Sequence, residues 1–203
     1  VSEPRDGTAD TAYCWGDKNY NAAPSPGGYE TPTAVQGLES VDSITGFSSY
    51  SFATYACAID DGTVKCWGAD TFGQLGDGEP APGFCTFSGN SNIACSIEAT
   101  PVSLPGGRAT KVVGGINHVC ALQDEQVYCW GHDGFGQLGN GGQESVVAPT
   151  RPAGLSGEVS VMNGGGIGDM ETSCGVMDGA AYCWGSNQNL GLGDGTALSS
   201  TSP

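Results

Sequence analysis

The sequence predicts an all-β protein built of about four blade-sized repeats. Three observations carry this. The tripeptide Cys-Trp-Gly begins at Cys14, Cys66, Cys129 and Cys183, at spacings of 52, 63 and 54 residues, and it uses all four tryptophans of the chain. The last three copies each follow a segment patterned as a tight hairpin. Finally, 35 glycines and 11 prolines accompany only 14% charged residues, which suits turn-dense β structure and not a helical bundle.

The hairpin can be counted residue by residue. In the copy over residues 57–78, Asp61-Gly62 separates two strand-like runs. Asp-Gly favours a two-residue type I′ turn, because both central positions need positive φ. Asp60 then faces Thr63, Ile59 faces Val64, Ala58 faces Lys65 and Cys57 faces Cys66. The same count sets Cys120 opposite Cys129 across Asp124-Glu125, and Cys174 opposite Cys183 across Asp178-Gly179. Directly opposed cysteines on a non-hydrogen-bonded pair lie at the near end of disulfide reach. Three cross-strand disulfides are expected. Thiols packed in a reduced core and a zinc site are the alternatives, although the spacing is not that of a Cys-x-x-Cys knuckle.

A glycine-rich tail follows each Cys-Trp-Gly: Gly-Gln-Leu-Gly at 73–76 and 136–139, and Leu-Gly-Leu-Gly at 190–193. The leucines read as core plugs and the glycines as backbone turns. A phosphate-binding loop would need a following helix and usually a lysine, and neither is present.

The pattern Cys-Ala-x-x-x-Asp-Gly-x-Val-x-Cys-Trp-Gly, followed by Gly-Gln-Leu-Gly-x-Gly, resembles the regulator of chromosome condensation repeat family. It is most similar to the cysteine-bearing branch of secreted and cell-surface proteins. The likeness covers residues 55–203 well and 1–36 poorly. It implies a β-propeller of four-stranded blades, usually seven, with roughly fifty residues each. The repeat units fall at about 1–36, 37–103, 104–155 and 156–203. Four units fall short of seven, so the chain reads as an incomplete or open part of a propeller, continued by absent residues or by another chain. The Ser-Thr-Ser-Pro end and the Val-Ser start suggest either cuts through a longer run of repeats or a head that meets its tail.

The first copy departs from the pattern. Cys14 matches the second cysteine of a hairpin, but Arg5 stands where its partner is due, which leaves Cys14 as the odd cysteine. The stretch 20–28 reads as a loop broken by Pro24 and Pro26. Segments 31–38, 100–104 and 149–155 read as crossings from one blade to the next. The long 63-residue spacing comes from an insertion at 79–98, which carries Cys85 and Cys95. These are expected to pair and close a loop holding the apolar Phe84, Phe87 and Ile93. A stapled apolar loop suits a contact surface, because its order is already paid for. The alternative folds its aromatics back onto the blade.

Composition limits the function. Nine cysteines, eight of them paired by position, argue for an oxidising, extracellular or cell-surface setting. No apolar run approaches the ~20 residues of a membrane helix, so membrane insertion is not expected. No signal peptide opens the chain, so it begins after processing or has been cut from something longer. Its 22 Asp and Glu against 6 Lys and Arg give a net charge of −16, which argues against nucleic acid as a partner. No cofactor is expected. Calcium is the one ion considered, at Asp60-Asp61, Asp77 and Asp194, which read as loop residues, but no Asp-x-Asp-x-Asp-Gly loop occurs. Only two histidines exist, His118 beside a hairpin and His132 at a position that differs in each copy, and no nucleophile elbow or paired-histidine motif accompanies them. The expected role is a non-catalytic, extracellular structural or protein-binding propeller, acting in adhesion, inhibition or surface assembly, self-assembly included. A carbohydrate- or calcium-dependent binding module is the second reading, disfavoured by tryptophans that repeat identically and read as core. A secreted hydrolase is the third.

Overall fold

The computed structural model describes residues 11–16, 29–47, 54–79, 81, 83–87, 90–155, 159–167 and 170–203. They form four antiparallel sheets in chain order. The first pairs β1 (Tyr13–Gly16) with β2 (Tyr29–Ala34). The second contains β3 (Val41–Phe47), β4 (Tyr55–Asp60), β5 (Thr63–Ala69), β6 (Gly83–Phe87) and β7 (Asn90–Pro101), in the spatial order β3-β4-β5-β7-β6. The third is a meander of β8 (Ala109–Gly114), β9 (His118–Gln123), β10 (Gln126–Gly131) and β11 (Val146–Thr150). The fourth has β12 (Val159–Ile167), β13 (Met170–Met177) and β14 (Ala180–Gly185), and Ser200 bridges to Gly185 where a fourth strand would run.

The central hairpins have the register counted from the sequence. Asp60 pairs with Thr63 and Cys57 with Cys66, Cys120 pairs with Cys129, and Cys174 with Cys183. The turn residues take positive φ: 46° and 79° at Asp61 and Gly62, 47° and 63° at Asp124 and Glu125, 51° and 78° at Asp178 and Gly179. Only the middle turn lacks a glycine.

The sheets pack face to face, and the tails seal the seams. Leu75 is buried with Trp130, and Leu138 with Trp184. Each indole N–H donates to the preceding tail: Trp130 Nε1 to the Gln74 carbonyl at 2.8 Å, Trp184 Nε1 to the Gln137 carbonyl at 2.9 Å. The tail glycines let the ring come this close. A Cβ on Gly76 would sit 2.5 Å from Trp130 Nε1. Tail backbone also crosses the seams, from Gly78 N–H to the Val147 carbonyl and from Gly141 N–H to the Thr201 carbonyl.

Several expectations need correction. The segments read as crossings begin as outer strands: β2, the end of β7, and β11. Their Thr and Val content favours pairing, and Pro32, Pro101 and Pro149 are tolerated on outer strands. The insertion is not a loop but a hairpin, β6 on β7. Asp60 is not a loop residue either. It lies buried on β4, where its carboxylate accepts from Lys65 Nζ at 2.7 Å and from the Glu39 N–H at 3.0 Å. Three tryptophans are fully buried, each in a core shared with the preceding sheet, but Trp15 is 59% exposed, and among the described residues no sheet precedes its own. The expectations for Arg5, Pro24 and Pro26 lie outside the described residues.

Candidate functional site

The insertion hairpin builds the most exposed apolar feature of the second sheet. Strand β7 pairs with β5 through Gly68↔Ser96 and Ala69↔Cys95, and β6 extends the sheet by one more strand. The Cys85–Cys95 bond ties β6 to β7, with Cα atoms 5.9 Å apart. Ile93 is partly buried against a small core of Ala69 and Cys95, with Cys85 beside it. Phe84 is 74% exposed. Phe87 lies at the end of β6, and its side chain is outside the described residues. The irregular register between Gly68 and Cys66 leaves Ile97 and Glu98 out of ladder pairing, and Ile97 is 45% exposed. Phe84 and Ile97 line a groove of about 360 Å³ together with Gly83, Cys85, Cys95, Ser96 and Glu98.

The six hairpin cysteines stand elsewhere, inside the blades. Cys57–Cys66, Cys120–Cys129 and Cys174–Cys183 are bonded, each with Cα atoms 4.1 Å apart. Cys14 is free and half-buried, and burial raises its thiol above the ordinary range.

A second constellation was invisible in the sequence. His118 at the head of β9 lies fully buried across the seam from β13. Its Nδ1 lies 3.0 Å from Glu171 Oε2, and its Nε2 lies 2.9 Å from Ser173 Oγ. Glu171 also accepts from the Asn117 N–H at 2.7 Å and from Gln137 Nε2 at 2.7 Å. Gln137 Nε2 reaches His132 Nδ1 at 2.8 Å, which sets that ring's proton on Nε2. His132 packs on Phe72, ring centroids 4.8 Å apart. Burial alone would raise the Glu171 carboxyl, but its close contact with His118 and the hydrogen bond from Gln137 outweigh it and hold the group at about 2.

Serine, histidine and glutamate in this order have the roles of a nucleophile, a base and its orienting acid. The surroundings do not fit hydrolysis. Ser173 and His118 are wholly buried, and Ser173 Oγ is engaged with the Gln137 carbonyl at 2.8 Å. These groups pin one blade to the next. No sequence motif announces them, because the partners come from different repeats and occupy non-equivalent positions.

The family model of the Regulator of chromosome condensation (RCC1) repeat matches residues 124–166. Human E3 ubiquitin-protein ligase HERC2 is 32% identical over 164 residues, covering 80% of this chain and 3% of that protein. The Arabidopsis thaliana mitochondrial RCC1 domain-containing protein RUG3 is 30% identical over 172 residues, 82% of this chain and 34% of that protein. The chain belongs to the regulator of chromosome condensation repeat family. Ultraviolet-B receptor UVR8 of Arabidopsis thaliana is 31% identical over 153 residues, 70% of this chain and 30% of that protein. The chain thus spans about a third or less of these relatives' lengths. Yeast RCC1 (Prp20), solved bound to Kap60, superposes with a TM-score of 0.71 at 17% identity, over all of this chain and 49% of that one. Human WBSCR16 gives 0.67 at 19% identity, over 95% of this chain and 51% of that one. The fold is that of an RCC1-type β-propeller, and the four sheets are its blades.

Proposed function

We propose that the chain is a non-catalytic, extracellular propeller segment that binds a protein partner through the stapled insertion hairpin. The observation that carries this is Phe84, three-quarters exposed on a strand that a disulfide holds in place. Exposing an aromatic ring on an ordered edge costs solubility, and a partner that buries it recovers that cost. Four cysteine pairs at disulfide distance support an oxidising compartment. Protein binding is also a property of the similar yeast RCC1 (Prp20), which has been solved bound to Kap60 and characterised for its binding to Gsp1p and histones. The chromatin partner is not carried over, because a net charge of −16 repels nucleic acid and offers no basic face.

The test is cross-linking capture of cell-surface and secreted proteins by the oxidised chain, identified by mass spectrometry. A partner retained by the chain and released by Phe84→Ser supports the reading, and retention of nothing overturns it.

Trp15 favours a second reading. An indole 59% exposed on a β-strand can stack on a sugar ring. Binding on a glycan array that disappears with Trp15→Ala would establish it.

A further inference from the structure

Resting on that protein-binding reading, we propose that the outer edge of β6 accepts an extended peptide as an added strand. The peptide carries one apolar side chain for the groove between Phe84 and Ile97 and basic residues beside it.

Three features lead here. Strand β6 ends the order β3-β4-β5-β7-β6, and among the described strands it has no neighbour on its far side. Its outward N–H and C=O groups are therefore a template for main-chain pairing. The groove is lined by Gly83, Phe84 and Cys85 at the start of that strand and by Ser96, Ile97 and Glu98 of β7, so it offers the exposed Phe84 and Ile97 side chains where an added strand would begin or end. The Cys85–Cys95 bond keeps the edge ordered before anything binds, which lowers the entropy lost on binding.

Charge selects the occupant. Glu98 edges the groove, Glu79 is exposed at the approach to the hairpin, and the chain as a whole carries −16. A second copy would bring the same negative charge to the edge, so self-pairing is opposed. A lysine- or arginine-bearing segment meets the opposite sign. With only five residues, β6 offers few main-chain bonds, so the apolar anchor sets most of the affinity.

The probe is an acetylated nine-residue peptide of alternating lysine and threonine with a central leucine. Its controls are the same peptide with glutamate for lysine, and one N-methylated at alternate residues. Calorimetry and amide NMR follow titration into the oxidised full chain. The expected result is saturable one-to-one binding of the basic peptide with shifts confined to residues 83–97. Affinity should fall at least tenfold for both controls and for the Phe84→Ser variant, whose exposed site leaves folding intact. Equal binding by the N-methylated peptide or by Phe84→Ser would overturn the proposal, as would a dimer in native mass spectrometry that Phe84→Ser abolishes. A partner captured as above and released by Phe84→Ser, with no binding of the basic peptide, would overturn the edge proposal while leaving the hairpin as a protein-binding surface. Peptide binding without any captured partner would do the reverse.

Discussion

The Glu171 carboxylate of the fourth blade holds the His118 ring of the third, Oε2 to Nδ1 at 3.0 Å, with both side chains buried. Glu171 accepts from two further donors, and its carboxyl stays at about 2, against an ordinary 4.5. A depressed carboxyl stabilises the fold above its ordinary value and loses that contribution as pH falls toward the folded value. Glu171→Gln is expected to cost about 2–3 kcal/mol at pH 7, measured by urea unfolding, because it strips a buried charge-assisted network. The deficit should shrink between pH 4.5 and pH 2.

Asp133 behaves in the opposite sense. Its Oδ1 accepts the Leu138 N–H at 2.9 Å, but burial raises the carboxyl from 3.8 to about 6, and that hydrogen bond and the nearby His118 only partly offset this. The folded state therefore holds a proton that the unfolded state releases, and stability falls as pH climbs from about 4 to about 6. The fourth copy makes the same bond with an amide, Asn187 Oδ1 accepting the Leu192 N–H at 3.0 Å. Asp133→Asn should thus stabilise the chain at pH 7, by about 1–3 kcal/mol, and change little at pH 4. Thermal melts at the two pH values compare them.

Gly76 and Gly193 occupy equivalent tail positions with φ of 66° and 71°. A methyl group on Gly76 meets the Trp130 ring, whereas one on Gly193 meets nothing within 4 Å. Both alanine variants bear the left-handed backbone cost of about 1 kcal/mol. Gly76→Ala should lose at least 2 kcal/mol more, through overpacking of the seam. Equal chemical denaturation midpoints for the two variants would refute this account of the seam.

Glu125 carries positive φ without being glycine, 63° in a type I′ turn. Glu125→Gly relieves that strain, and a gain of about 0.5–1 kcal/mol is expected in the denaturation midpoint.

What the sequence made legible was local. Asp61-Gly62 and Asp178-Gly179 fixed two turns, and from each turn the pairing of its cysteines followed by counting outward one pair at a time. The burial of Leu75 and Leu138 could be read from the repetition of one tail. The insertion hairpin could not, because residues 79–98 hold no Asn-Gly or Asp-Gly turn and their cysteines sit diagonally, Cys85 opposite Ile93 and Cys95 opposite Gly83. Nor could the His118–Glu171 pair, whose members lie 53 positions apart and meet only when two blades stack. Trp15 repeats the motif of its three buried counterparts yet is exposed, since burial of that ring depends on a neighbouring blade and not on its own sequence.

Every disulfide of the described chain closes within a single sheet, and none crosses a seam. Under a pulling force the molecule therefore divides into covalently locked parcels and yielding joints. Blades would part at the seams held by Trp130 and Trp184, while each hairpin bond, closing a sequence separation of 9, withholds roughly 30 Å of contour until it is reduced. The chain is built to give way between blades while keeping each blade shut.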